Sequence, residues 1–319
     1  MPVYGMIAVK YVAVWKVFLV STNTPELAGL LPSWLVALQA ANRSRKTIDQ
    51  YHDGVRLFLA WCERTATTPA LTRPVVGAFV SSIFDAGQSA NTARARQMAC
   101  KRFSAWCAAE GEIAADALLG MPQPRLDTKV TDPLTELELR DLIKACQGTT
   151  FADRRDEALV RFMAETGIRA GECANLAIAD VDVVRGLATV RRGKGGRARI
   201  VPFGPQTGLA IDRYIRARRT HRRCADAELW LGERANQSFG YTALFRALRR
   251  RARDAGIDRF YPHLLRHTAA TRWLAAGGSE GGLMAVAGWR KREMLDRYTA
   301  ATASSRAADE ARRLRLGDL

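Results

Sequence analysis

The chain has 319 residues, 49 Lys plus Arg against 32 Asp plus Glu, and a formal net charge of +17. Its length accommodates two globular domains, and a hydrophobic fraction of 48% excludes disorder for the bulk of the chain. The longest apolar stretch, Met6 to Val20, is broken by Lys10 and Lys16 and lacks a small-residue cleavage site, so neither a membrane span nor a secretory signal is read there.

What remains is a soluble, strongly basic protein, for which nucleic acid is the first partner to consider. The six cysteines (Cys62, Cys100, Cys107, Cys146, Cys173, Cys224) are scattered without a C-x-x-C pair or metal-ligand spacing. Most lie among apolar neighbours at helical spacing. They read as small core residues in a reducing compartment, which fits the cytoplasm, and a nucleic-acid partner would put the chain with the nucleoid.

Residues 1–25 form an apolar leader. From about residue 26 the pattern turns helical. Between Ser44 and Cys62, the residues Ile48, Tyr51, Val55, Phe58, Leu59 and Cys62 fall on one face of a 3.6-residue period. A second apolar helix runs from about Arg73 to Phe84 and ends at Gly87. A third opens at the cap-rich Ser89-Ala90-Asn91-Thr92 and carries Arg94, Arg96, Lys101 and Arg102 around a core edge of Met98, Phe103 and Trp106. Pro122, Pro124 and Pro133, set among charged neighbours, mark an interdomain linker over 125–133. Thr135 and Glu138 then give a capping-box signature.

Past the linker the pattern is mostly helical with one interruption. Leu187 to Arg192 and Ala198 to Phe203 read as strands of a hairpin around Gly193-Lys194-Gly195-Gly196. The expected architecture is therefore mainly α. A helical domain spans 26–124, and residues 134–319 form a mostly α domain with a small antiparallel sheet and a helical tail.

Four segments of the second domain hold unusual polar residues. In Thr166-Gly167-Ile168-Arg169-Ala170-Gly171-Glu172 one helix ends at Gly167 and another begins. An Arg at a helix start is disfavoured by the dipole unless an anion sits there. Taken alone, the segment reads as a surface Arg paired with Glu172. Only eight of the 49 basic residues are Lys, so Lys194 in a Gly-Lys-Gly turn points to a proton donor, a role Arg cannot fill. A solvated turn Lys is the alternative.

His263-Leu264-Leu265-Arg266-His267 puts two His one helical turn apart beside an Arg. Metal ligation is the weaker reading, since no third ligand is near and the Arg repels a cation. A proton carrier next to a bidentate oxyanion clamp is what a phosphoryl site needs. Finally, Gly288-Trp289 is followed nine residues later by Tyr298. A Tyr at the end of a polar helix is ordinarily half-buried, and its phenol needs adjacent cations or a base to act as a nucleophile.

In order and spacing these segments resemble the tyrosine recombinase, or phage integrase, family, in an Xer-like branch with Trp where many members have His. The resemblance covers roughly residues 130–300 at motif level, and the upstream helices are similar to the family's SAM-like core-binding domain. It implies that Tyr298 attacks a DNA phosphodiester to give a 3′-phosphotyrosine and a free 5′-hydroxyl. Arg169 and Arg266 would neutralise the phosphate, His263 would shuttle the nucleophile's proton, and Lys194 would protonate the departing 5′-oxygen. Trp289 would support the phosphate through its indole N–H, with Glu172 and His267 orienting their neighbours.

The resemblance further implies a C-shaped clamp on double-stranded DNA. Arg94, Arg96, Lys101 and Arg102 are candidate groove contacts, and Arg197 and Arg199 candidate backbone contacts. It implies a monomer that becomes a tetramer on paired sites through a C-terminal helix docking in trans, and an accessory directionality factor. Neither metal, cofactor nor membrane is called for. One departure and two rivals bear on this expectation. The glycine-rich Gly277 to Gly282 would loosen the loop that presents Trp289 and Tyr298. A type IB topoisomerase, or an inactive DNA-binding remnant of a mobile element, would share part of the pattern, but the set of six catalytic positions and the helical tail favour recombination. With only about 25 residues before the first helical domain, a separate arm-site domain has no room, which favours a simple Xer-like or small-element integrase.

Overall fold

Ser44 and Ser89 each stand in extended backbone and accept the N–H three residues on, Thr47 and Thr92 respectively, at 3.2 Å. Each thereby satisfies one of the unpaired donors that a helix start leaves. In a computed structural model, which describes residues 26–126, 132–191, 198–234, 236–295 and Arg312, the chain divides into two units, Met1–Thr128 and Lys129–Leu319.

The first unit holds α1 (Leu27–Ala40), α2 (Arg45–Arg64), α3 (Arg73–Asp85) and α4 (Ala90–Ala109). The apolar face read from the sequence of α2 is the one that packs: Ile48, Val55, Phe58 and Cys62 are buried, with Tyr51 and Leu59 at its edge. Aromatic rings join the helices, Trp34 to Phe103 at 4.9 Å and Phe58 to Phe79 at 5.4 Å between centroids. Gly54 lets α2 and α4 approach closely, because a Cβ there would overlap the Ala99 side chain. The segment that follows α4 is lashed back onto it. Gln97 Nε2 donates to the Pro122 carbonyl at 2.9 Å, Lys101 Nζ to Met121 at 2.7 Å, and Ser104 Oγ to Asp116 at 2.5 Å.

The second unit opens with α5 (Glu136–Ala145), whose Thr135–Glu138 capping box forms as its sequence predicts. The buried α6 (Phe151–Thr166) follows, then the short α7 (Ala170–Ala174). Strands β1 (Val181–Asp182), β2 (Leu187–Val190) and β3 (Arg199–Pro202) make one antiparallel sheet in the order β1-β2-β3. The β2–β3 register runs from Leu187 opposite Pro202 to Val190 opposite Arg199. The sequence pattern shows the two long strands; the two-residue β1 is too short to leave one.

Helices α8 (Pro205–Arg218), α9 (Tyr241–Asp254), α10 (Pro262–Ala275) and α11 (Glu280–Ala287) complete the unit. Its main core gathers on α6, where Leu159, Val160, Phe162 and Met163 are fully buried against α8, α9 and α10. A satellite cluster of Ala270, Leu274, Leu283, Ala287, Trp289 and Leu295 seals α10 against α11.

The cysteines are all free and, except for Cys224, buried. Burial pushes the Cys100 and Cys146 thiols up to about 12. Among the described residues, no helix is long and apolar enough to cross a membrane. The apolar leader 1–25, part of the expected linker, the glycine turn with Lys194 and Arg197, Tyr298, and the expected helical tail apart from Arg312 lie outside the described residues.

Candidate active site

The site is assembled from helix ends. Thr166 closes α6 by donating its hydroxyl to the Phe162 carbonyl at 2.6 Å and accepting the Ile168 N–H at 3.3 Å. Gly167 then takes the left-handed conformation, φ +61°, and its N–H reaches back to the Met163 carbonyl at 3.1 Å. Ile168 plugs the core. The chain emerges at Arg169 in extended backbone, as the residue that starts α7.

A second glycine does the same job at α11. Gly288 has φ +65°. The N–H groups of Gly288 and Trp289 bond the carbonyls of Ala285 and Met284 at 3.2 and 2.9 Å, the two crossed bonds of a Schellman motif. This turn seats the Trp289 indole in the satellite core.

Two guanidinium groups tie these turns together. Arg266 projects from α10 and is only 2% exposed. Its Nη1 donates to the Gly167 carbonyl at 2.6 Å and its Nη2 to Ala287 at 2.7 Å. Its central carbon lies 5.1 Å from the centroid of the Trp289 ring. Arg169, whose side chain is 27% exposed, donates Nη1 to Glu172 at 2.8 Å and Nη2 to the Gly288 carbonyl at 3.3 Å. Thus Arg169, Glu172, Arg266 and Trp289 converge, and Arg169 presents an open face.

Glu172 is both the partner that the local sequence predicts and a hub. Its carboxylate also accepts the Arg169 backbone N–H at 3.2 Å and Arg199 Nη2 at 2.6 Å. Burial pushes its carboxyl up, but the hydrogen bonds and charges of Arg199 and Arg169 outweigh this and hold it below the usual carboxylate range.

His263 and His267 sit one turn apart on α10, with ring centroids 5.1 Å apart and nearly perpendicular planes. His263 is exposed as a whole residue, but desolvation of its ring, helped by the charges of His267, Arg266 and Arg169, lowers its pKa to about 4. At neutral pH the imidazole is therefore uncharged and able to accept a proton. Among the described residues no group of three or more His, Cys, Asp or Glu side chains is placed to hold a metal ion.

Three sequence expectations change. The glycine-rich stretch, expected to loosen the loop that presents Trp289 and Tyr298, is held in place as far as Trp289, while Tyr298 lies outside the described residues. Ser279 caps the helix by accepting the Gly282 N–H at 3.1 Å, and Trp273 donates its indole N–H to the Ser279 carbonyl at 3.0 Å. A Cβ on Gly278 would collide with that indole, and one on Gly282 would crowd the Ser279 hydroxyl that caps the helix. Arg199, expected on the DNA backbone, instead turns inward: its side chain is 12% exposed and its Nε donates to the Val286 carbonyl at 2.8 Å. The signal for this was present, since Arg199 shares a strand face with the buried Val201. Lys101 is half-buried and commits its ammonium to Met121. Arg94 and Arg102 are exposed on α4, and Arg96 lines a shallow groove with Gln50, Asp53 and Asn91.

Arginines on α8 and α9 also serve as internal staples. Arg218 donates to the carbonyls of Cys224, Asp226 and Glu228. Arg251 bonds Asp153, Asp156 and the Ala145 carbonyl.

Residues 133–305 match the phage integrase family, and residues 31–111 match the phage integrase N-terminal SAM-like domain. The chain is 33% identical over 245 residues to tyrosine recombinase XerC of Mycobacterium sp. (strain KMS), covering 74% of this chain and 81% of that protein. A crystal structure of XerA recombinase aligns with a TM-score of 0.51 at 26% identity, covering 91% of this chain and 99% of that one. A lambda integrase tetramer bound to a Holliday junction shares the fold, with a TM-score of 0.65 at 15% identity over 85% of this chain and 79% of that one.

Proposed function

The chain belongs to the phage integrase family, the tyrosine recombinases, and from that membership we propose how its own residues cut and rejoin DNA at a specific site. Tyr298 attacks the scissile phosphorus. The Tyr oxygen–phosphorus bond forms, the bond to the 5′-oxygen breaks, and the products are a 3′-phosphotyrosine and a 5′-hydroxyl. His263, neutral at pH 7, takes the phenolic proton, and Lys194 returns a proton to the leaving oxygen. Attack by the 5′-hydroxyl of a partner strand reverses the step, so the bond energy is kept without ATP.

Arg169 and Arg266 face the charge that builds on the non-bridging oxygens, with Trp289 beside them. A preorganised clamp of this kind is usually the largest catalytic term. The observation that supports this assignment is the convergence of both arginines on the carbonyls of Ala287 and Gly288, immediately before Trp289. Glu172 and His267 orient their neighbours. Arg94, Arg96 and Arg102 approach the duplex, whose phosphates the net charge of +17 complements.

The domain limits 26–124 and 134–319, with a linker between, belong to the same reading, as does a cytoplasmic site of action beside the nucleoid. Assembly is a tetramer on paired sites, with the helical tail docked on the neighbouring copy. Because strand exchange through a phosphotyrosine favours neither direction energetically, the direction falls to an accessory factor.

The DNA site, recovered by footprinting or from genomic junctions, is built as a nicked suicide substrate. Wild-type protein accumulates a covalent adduct on it. Tyr298→Phe binds the site and forms none, and a persisting adduct would remove Tyr298 from the role. Truncation after Ala303 keeps single-site binding and impairs strand exchange. Full recombination by the shortened chain would contradict docking of the tail.

A further inference from the structure

Arg199 stands on β3, outside the three segments that carry Arg169, Arg266 and Trp289, yet its guanidinium touches two of them. Nη2 lies 2.6 Å from Glu172 Oε2 and Nε lies 2.8 Å from the Val286 carbonyl, in the last turn of α11. The side chain also covers the Gly288 turn so closely that a Cβ on Gly288 would lie 3.2 Å from its Cδ, Nε and Cζ atoms. Glu172 divides its carboxylate between the two arginines, Oε1 to Arg169 and Oε2 to Arg199. Without Arg199, both carboxylate oxygens would compete for the Arg169 fork, which binds a carboxylate two-handed in preference.

We propose that Arg199 is a positioning residue for DNA cleavage: by holding Glu172 on one side and the Val286–Gly288 turn on the other, it keeps the Arg169 guanidinium aimed at the scissile phosphate. This rests on the assignment of Arg169 as a phosphate clamp. It replaces a direct DNA contact by Arg199 with an action through Arg169. A small misalignment of such a clamp costs on the order of a hundredfold in rate.

The test measures single-turnover adduct formation at saturating DNA on two suicide substrates, one with the natural phosphodiester and one with an uncharged methylphosphonate at the scissile position. In both, the Tyr298 oxygen–phosphorus bond forms as the bond to the 5′-oxygen breaks. Only the diester has a negative charge for Arg169 to neutralise. Arg199→Gln is expected to lose about ten- to a hundredfold on the diester and much less on the methylphosphonate. Arg199→Lys should lie between, since one ammonium can hold Glu172 without also reaching Val286. The ratio of the two rates for one preparation cancels any misfolded fraction.

Arg169→Gln run in parallel separates the two layers of the argument. Equal loss on both substrates for Arg169→Gln overturns the clamp, and this proposal with it. Relief on the methylphosphonate for Arg169→Gln but not for Arg199→Gln overturns the proposal alone. A wild-type cleavage rate for Arg199→Gln accompanied by weaker DNA binding also overturns it, and returns Arg199 to the DNA backbone.

Discussion

Arg266 lies with its central guanidinium carbon 5.1 Å from the centroid of the Trp289 ring, and the same group donates to the carbonyl of Ala287, two residues earlier, at 2.7 Å. The cation that would face a phosphate is thus held by the segment that presents the indole. Trp289 is 6% exposed and belongs to the cluster joining α10 to α11. Trp289→Ala is expected to cost about 3–5 kcal/mol, as large-to-small changes of buried aromatics do. Trp289→Phe, which keeps a ring under the guanidinium, should cost far less. Urea unfolding of the two variants checks this, and wild-type stability of Trp289→Ala would place the indole outside the packing.

Removing the Arg266 cation should hurt stability as well as cleavage. Arg266→Met leaves the carbonyls of Gly167 and Ala287 without their 2.6 and 2.7 Å donors, at about 1–3 kcal/mol for each buried group left unsatisfied. Tyr298→Phe, by comparison, should abolish cleavage without lowering the melting temperature. If Arg266→Met melts like the wild type while losing cleavage, the two carbonyl bonds are not structural.

How much of this could be read from the sequence depends on how local each cause is. Caps at Ser44, Ser89 and Thr135 and the apolar stripe of α2 are set within one or two turns of helix, and the pattern shows them. The positions of Arg169, His263, Arg266 and Trp289 were legible as motifs because each sits at a helix end or on one helical face with its own local signature. The bridge from Arg199 to Glu172 and Val286 was not, since its partners are 27 and 87 positions away and nothing local selects them. The Gly277–Gly282 stretch looks loose by composition, and the contact that fixes it, the Trp273 indole against Gly278, comes from the preceding helix.

The pH behaviour of His263 follows from its surroundings. Its folded-state value of about 4 lies below the ordinary 6.5. Between those two values the unfolded chain binds the proton more tightly, so this residue's contribution to stability falls as pH drops from 6.5 toward 4. The residue is exposed, so solvent screens the neighbouring charges and limits the size of the effect. An NMR titration of the imidazole C–H signals in the DNA-free protein, assigned with His263→Gln, should give a midpoint well under 6.5. A midpoint at or above 6.5 would mean that neither desolvation nor the adjoining cations depress it, and a midpoint above 7 would make the imidazole mostly charged at pH 7 and remove the neutral proton acceptor.

The most direct measurement identifies the amino acid joined to DNA. Adduct trapped on the suicide substrate is digested with protease and nuclease, and the nucleotide-bearing peptide is sequenced by mass spectrometry. The account predicts a 3′-nucleotide on the phenolic oxygen of Tyr298, with a free 5′-hydroxyl on the released strand. A nucleotide on any other side chain, or a 5′-phosphate on the released strand, would contradict it.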